Sequence, residues 1–368
     1  MRKINTLAVT LVALFGITQL ADADISIDQL VEQTGMSESE VAVRDLPRWH
    51  GANKILIRDN GTDLDAIIAS SGDTEFVVFQ SLPQALQHVS DVDAIIGSCD
   101  AELINAAKQL VWVQIYWAGA ESCLAVDRVA SGEVVMTNMQ KMSSPVIAEH
   151  AIAMMLALAR NLPQFVHSMD KQDWAARQEV IAGMTPIAGK KLLVAGLGGI
   201  GTEVARLGAA LGMQVSGTRN SSRDGPDFVQ YVGLSHELQD LAAEADVIVN
   251  ALPFTDSTNN LFDSDFFAAA KSGVIFINVG RGKTVVTADL VAALESGQVS
   301  AAGLDVTDPE PLPNSHRLFE LDNCLIVPHL GSGSHATRVK MAEMAADNLL
   351  AGIHGERLPH CINPEVYR

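Results

Sequence analysis

The stretch LLVAGLGGIGTEVARLGAALGMQVSGTRNSSR, residues 192–223, decides how this chain is read. Its apolar opening, LLVA, has the length and composition of a buried strand. Gly196-Leu197-Gly198-Gly199-Ile200-Gly201 follows as a G-x-G-x-x-G pattern. A helix is predicted next, because Ile200, Val204, Leu207 and Leu211 share one face. Strand, glycine loop and helix in that order make a cradle for a dinucleotide pyrophosphate. Gly196 permits the tight turn, Gly198 lets the backbone approach the phosphates, and Gly201 lets helix and strand pack closely. Gly199 and Ile200 open the helix, whose free N–H groups favour an anion.

About twenty residues further on, such a cradle often has an acid that accepts hydrogen bonds from the adenosine ribose. Here the second strand ends Ser216-Gly217-Thr218-Arg219, and Asn220, Ser221, Ser222 and Arg223 follow. Arginines can neutralise a 2′-phosphate and the serine hydroxyls can donate to it. The expected cofactor is therefore NADP, with NAD possible. Thr218, Arg219, Asn220 and Ser221 join the glycines as cofactor-binding residues.

Outward from this stretch, short apolar runs alternate with amphipathic segments. KILIRD, EFVVF, VDAIIG and VWVQI, between residues 54 and 115, read as strands, with helices near 62–70, 82–89 and 100–109. Further strands are expected at 192–195, 213–217, 246–251, 274–279, 301–305 and 324–327. Ser144-Pro145 starts a long apolar helix, with a hydroxyl at its cap and proline in its first turn. Its place between the two halves suits a hinge, and a last helix at 335–351 is expected to return to the first half, with a second hinge near Gly331–Ser334. The fold class is α/β: two Rossmann- or flavodoxin-like domains with parallel sheets, the cofactor domain inserted into the substrate domain. The substrate domain takes 54–145 plus 335–368 and the NAD(P)-binding domain 146–334, after a polar, helical extension at 24–53.

Residues 1–23 differ in character. Arg2 and Lys3 precede an apolar run from Leu7 to Leu20 and the A-x-A pattern Ala21-Asp22-Ala23. That is the form of a cleavable signal peptide, too short for a comfortable membrane span. An exported or periplasmic location is expected, with no stable span after cleavage; without export the protein is cytoplasmic. A formal charge of −19 excludes a broad basic face for nucleic acid or anionic membrane. An anionic substrate then needs a local positive site. Cys99, Cys123, Cys324 and Cys361 have neither CxxC spacing nor a histidine cluster beside them. They are read as structural or free thiols, and no metal is expected.

Polar signals end the later strands, where a doubly wound sheet opens its ligand crevice. They are NVGRG with Val279, Gly280 and Arg281; LDVTDPEPLP with Asp305 and Glu310; and VPHLGS with His329 and Gly331. Arg281 offers a planar fork to a carboxylate and positive charge to a reacting carbonyl. His329 can donate a proton as hydride arrives, with Glu310 orienting its ring.

Taken in order from AEHAIAMMLALAR through GLGGIG, NVGRG, DPEPLP and VPHLGS, the chain resembles the D-2-hydroxyacid dehydrogenase family over about 145–335. LVWVQIYWAGAE carries the likeness more loosely into the first half. The resemblance implies a catalytic set of Arg281, Glu310 and His329, and hydride transfer between NADP(H) and a small 2-keto or D-2-hydroxy acid. It implies cofactor contacts at Leu252, Pro253, Thr258 and Asp305, besides those near Val279–Arg281 and His329–Gly331. It also implies a carboxylate grip around Ser98, Cys99, Trp117, Ala118 and Gly119. A homodimer is the expected assembly. The family's glycine after the strand near Thr137-Asn138 is replaced by Met139-Gln140-Lys141-Met142; those residues, with Tyr116 and Trp117, point to an unusual substrate pocket. The alternatives are a nucleotide-sensing binding protein of the same fold, or a phosphoglycerate, phosphonate or formate dehydrogenase. Glu310, where glutamine would be expected, counts against formate.

Overall fold

The computed structural model describes residues 39–59, 68, 73–172, 174, 181, 183–333, 335–359 and 361–362. The expected signal peptide, residues 24–38 of the extension, most of the helix near 62–70 and Ser334 lie outside the described residues.

Strands β1 (Lys54–Arg58), β2 (Glu75–Phe79), β3 (Ala94–Ile96), β4 (Trp112–Gln114) and β5 (Val135–Thr137) form one sheet in the order β2-β1-β3-β4-β5. Strands β6 (Lys191–Ala195), β7 (Gln214–Arg219), β8 (Tyr231–Leu234), β9 (Val247–Asn250), β10 (Val274–Asn278), β11 (Val299–Leu304) and β12 (Cys324–Ile326) form the other. Its order is β12-β11-β10-β9-β6-β7-β8. Every pairing in both sheets is parallel. The order of the second sheet reverses between β6 and β9, so the ligand crevice falls at the carboxyl ends of those strands.

Strands buried on both faces explain the nearly continuous apolar runs. LLVA and VIFIN are buried at every position. Strand β8 is absent from the expectations above: YVGL is four residues long, contains glycine and follows a proline-bearing loop, so its periodicity is too brief to register.

The helix Ser144–Ala159 joins the two halves. It buries Ala148, Ala151, Ile152, Met154, Met155 and Leu158 against Leu192, Val194 and Val204 of the second sheet and its first helix. Its cap differs from expectation. Ser143 holds the cap position with a helical backbone and makes no side-chain cap bond, while Ser144 is already within the helix. The helix His335–Ile353 returns the chain, placing Met344, Ala345, Leu349 and Ala351 against Ile55, Ile57 and Trp112. Asn348 Nδ2 donates to Gln114 Oε1 inside this contact, 2.8 Å away. The described residues of the extension, 39–53, do not form a polar helix. They lie along the C-terminal loop through Ser39 N–H to Leu358 O, Val43 N–H to Glu356 O and Arg44 N–H to Gly355 O, with Val43 in the core.

Candidate active site

A buried polar network at two adjacent strand ends builds the crevice. Asn250 ends β9 and Asn278 ends β10, both with essentially no exposure. Asn250 Nδ2 donates to Asn278 Oδ1 (3.0 Å) and Thr284 Oγ1 (2.7 Å). Its Oδ1 accepts the Leu252 N–H (3.1 Å). Asn278 accepts the Gly280 N–H (3.1 Å) and donates to the Arg281 carbonyl (3.3 Å), which also accepts the Thr284 hydroxyl (2.7 Å). Buried amides must find partners, so these asparagines bind the Leu252 turn and the Gly280-Arg281 turn to one another. Neither asparagine nor Thr284 is among the expected site residues, although Asn278 opens NVGRG and an asparagine closing an otherwise apolar strand (VIVN, VIFIN) is the readable signal.

Arg281 thus leaves a fixed backbone. Its Nη1 donates to the Gly280 carbonyl (2.8 Å) and its Nε to Glu121 Oε1 (2.9 Å), in the other half of the chain. Gly119 lies beside the fork; a methyl group there would stand 2.6 Å from Arg281 Nη2. The structure therefore places Gly119, which follows Ala118, beside Arg281, and adds Glu121. Asn138 Nδ2 donates to the Ala118 carbonyl, holding this loop against the end of β5. Ser98, Cys99 and Trp117 line a pocket of about 290 Å³ with Arg58, Gln80, Asp100 and Ser122.

Cys99 is bonded to Cys123 in a disulfide (Cα–Cα 4.9 Å), which ties the loop after β3 to the helix Glu121–Leu124. Cys324 and Cys361 are free, and burial pushes their thiols up to about 12 and about 11. Two of the bulky residues expected to alter the pocket turn away, while Trp117 lines it. Met139 is fully buried, packing with Ile55 and Trp112, and Tyr116 is buried beneath Gly97.

His329 Nδ1 lies 2.6 Å from Glu310 Oε1, both groups half exposed. At that exposure the pair contributes little to stability, and its use is orientation. It leaves Nε2 as the nitrogen available to give or take a proton. His329 has a left-handed backbone, φ 53°, uncommon for a residue with a side chain. Asp305 holds it there: its carbonyl accepts the His329 N–H (2.8 Å) and its buried carboxylate accepts the N–H groups of Leu330 (2.9 Å) and Gly331 (3.0 Å). Asp305, expected to contact the cofactor, supports the His329 turn in this structure. His150 Nε2, from the long helix, stands 3.4 Å from the same carboxylate without an aligned hydrogen bond. Thr258 is likewise engaged within its own turn, donating to the Pro253 carbonyl (2.7 Å) and accepting from the Thr255 N–H (2.8 Å).

The glycine loop fits a dinucleotide. A methyl group on Gly201 would stand 1.9 Å from the Gly196 carbonyl oxygen, so only glycine permits this helix–strand approach. A methyl on Gly198 would meet nothing within 4 Å, leaving open space where phosphates would lie. Thr218 anchors the loop by accepting the Gly196 N–H at its hydroxyl (3.2 Å) and the Leu197 N–H at its carbonyl (2.8 Å). Leu252 lies over Gly196, and Val279 and Gly280 are buried behind. Asn220 and Ser221 are exposed beyond the strand.

The two arginines expected at the ribose diverge. Arg223 is committed elsewhere, pairing with Glu237 (2.7 Å) and the Tyr231 hydroxyl (2.9 Å), which itself donates to Glu237. That hydroxyl first, then a backbone N–H, hold the Glu237 carboxyl down to about 2. Arg219 keeps a buried Nε with no hydrogen-bond partner. Among the described residues no group of three His, Cys, Asp or Glu could hold a metal, and no helix could cross a membrane.

Comparison with known proteins places the chain in a family. The family described as D-isomer specific 2-hydroxyacid dehydrogenase, NAD binding domain, matches residues 152–331. Glyoxylate reductase/hydroxypyruvate reductase of Mus musculus is 35% identical over 264 residues, 71% of this chain and 79% of that protein. Glyoxylate/hydroxypyruvate reductase B of Escherichia fergusonii is 30% identical over 291 residues, 78% of this chain and 89% of that one. The crystal structure of a glyoxylate reductase from Paecilomyes thermophila superposes with a TM-score of 0.76 at 25% identity, covering 86% of this chain and all of that one.

Replacing Asn250 with alanine strands the Leu252 N–H and deprives Asn278 Oδ1 and the Thr284 hydroxyl of a donor. The expected cost is about 1–3 kcal/mol, read as a lower urea midpoint at unchanged slope. An unchanged midpoint would mean that the network does not hold these turns.

Proposed function

Since the chain belongs to the D-isomer specific 2-hydroxyacid dehydrogenase family and is an NAD(P)-dependent oxidoreductase of that family, we propose that it reduces small 2-keto acids such as glyoxylate or hydroxypyruvate with NADPH. The products are D-2-hydroxy acids. The convergence of Arg281 and the Glu310–His329 pair on one crevice beside the glycine loop carries this reading. Bound nicotinamide supplies hydride to the carbonyl carbon. Arg281 holds the substrate carboxylate, which takes over the fork that Glu121 occupies. His329 donates the proton to the carbonyl oxygen, and Glu310 keeps the ring in place. The same reading assigns 54–145 with 335–368 to substrate and 146–334 to cofactor. Reaction then requires the loops at 98–99 and 118–119 to shut the cleft over the substrate and exclude water, with Gly119 already beside Arg281.

The choice of NADPH is supported by Arg219, whose buried, unpartnered Nε stands where an acid would otherwise favour NADH. Export is supported by the N-terminal pattern and by the Cys99–Cys123 disulfide, a bond of oxidising compartments. A homodimer is supported by Leu162, Val166, Met169 and Trp174, large apolar side chains exposed on one segment.

His329→Ala should lower turnover by about 10²–10⁴, and Arg281→Ala should damage both affinity and turnover. Near-normal turnover without His329 would remove it as proton donor. If no keto acid in a panel is turned over with either nucleotide, a nucleotide-sensing binder becomes the better reading. Wild-type protein should bind NADPH more tightly than NADH, and Arg219→Asp should narrow or reverse the difference; equal wild-type affinities would overturn the preference. The mature protein recovered from its native host should begin at Asp24, lack two titratable thiols and sediment as a dimer. An intact N-terminus with four thiols would refute export, and a monomer would refute the assembly.

A further inference from the structure

Strands β3 and β4 lie side by side, and the loops that follow them carry the proposed carboxylate grip. Their ladder runs from Ala94↔Trp112 to Ile96↔Gln114 and closes with the Gly97 N–H on the Gln114 carbonyl (2.7 Å). Past that bond, among the described residues, no hydrogen bond joins 98–100 to 115–124. Two loops that grip one carboxylate together thus leave the sheet without a polar tie between them. The Cys99–Cys123 disulfide is that tie.

The loop after β4 is braced from both neighbouring strands. On the β5 side, Asn138 Nδ2 donates to the Ala118 carbonyl. On the β3 side, the bridge holds the helix Glu121–Leu124, four residues with no side-chain cap at its start. A helix so short has no stability of its own, so its place is set by what holds it. Packing of Ala120 and Cys123 in the core is its other hold. The helix carries Glu121, whose carboxylate accepts from Arg281 Nε (2.9 Å). It also carries Ser122, which lines the pocket with Ser98, Cys99 and Trp117. A staple that only restrained the unfolded chain would gain more by closing a loop longer than these 24 residues. Cys324 and Cys361 stay free. The covalent link falls instead where misplacement of a loop would be most costly to a reaction.

We propose that the Cys99–Cys123 bridge is a positioning element for the substrate, fixing the loops at 98–99 and 118–119 at the spacing that one carboxylate requires. The inference rests on the keto-acid reading of the site, and not on the choice of nucleotide or on export. The bridge opens by ordinary thiol–disulfide exchange. Cys99 is partly exposed at the pocket and Cys123 is fully buried, so a dithiol attacks the Cys99 sulfur. Cys123 leaves and takes up the proton that the attacking thiol lost. The second thiol of the reductant then displaces Cys99, leaving two cysteine thiols and a cyclic disulfide.

The test compares four forms of the full chain: oxidised, reduced with dithiothreitol and freed of it without air, Cys99→Ser, and Cys123→Ala. A thiol count reports the state of the bridge in each. Opening it should raise KM for hydroxypyruvate about 10- to 100-fold. Turnover should change much less, because the loops hold ground state and transition state alike. The dissociation constants of NADPH and NADH should stay where they are. Dithiothreitol treatment should add nothing to either variant, and reduction of the wild type serves should a variant fail to fold. Hydrogen exchange needs no turnover; it should quicken at 98–99 and 117–121 and stay unchanged at 196–201. An unchanged KM with the bridge open would overturn the proposal, and a fall in the urea midpoint alone would leave the bridge a staple. Equal weakening of nucleotide and substrate would overturn it in favour of general loosening. Absence of turnover by the oxidised wild type counts instead against the keto-acid reading, and unchanged exchange would then overturn the bridge as a clamp on these loops.

Discussion

Two asparagine side chains, buried side by side at the ends of β9 and β10, are the constraint on which this crevice depends. An amide with no access to water must satisfy its hydrogen-bonding groups within the protein. Asn250 and Asn278 do so by capturing the backbone of the turns that follow them. Those turns are thereby ordered before any ligand arrives. One carries Leu252 over the glycine loop, and the other sends Arg281 across to Gly119 and Glu121. The polar cost of ending apolar strands with asparagine is thus offset by a preorganised site.

Asp305, at the end of the neighbouring strand β11, has a comparable role. Its carbonyl and carboxylate together accept three consecutive N–H groups, from His329 to Gly331. A left-handed histidine would not persist in a free loop, and here the surrounding bonds over-determine it. Orientation of the ring is then left to Glu310. Support of the backbone and orientation of the side chain are separate tasks, performed by separate carboxylates.

The charge of the whole molecule sharpens the local pattern. A chain with formal charge −19 repels anions at a distance, yet Arg281 and Arg219 stand at the carboxyl ends of its second sheet. Such a local cluster of positive charge favours an anion there despite the net charge. Arg223, equally basic by composition, adds nothing to this field because Glu237 and Tyr231 neutralise and hold it.

What the sequence by itself determined was mostly local: the periodicity of all the strands but β8, the order strand–glycine loop–helix, and the polar residues that end strands in a parallel sheet. Chain geometry sets these within a few residues, so GLGGIG, NVGRG and VPHLGS could be read directly, and the resemblance followed from their order. The tertiary structure decided which partner each polar group takes. Arg223 turned to Glu237, Asp305 to the His329 turn, Cys99 to Cys123, and Met139 into the core. Lys141 and Gly199 stand 58 positions apart in the chain and meet only because the joining helix lies against the glycine-loop helix. Electrostatic and hydrogen-bonded partners are chosen by distance in space, and spacing along the chain does not encode that distance once two domains fold onto one cleft.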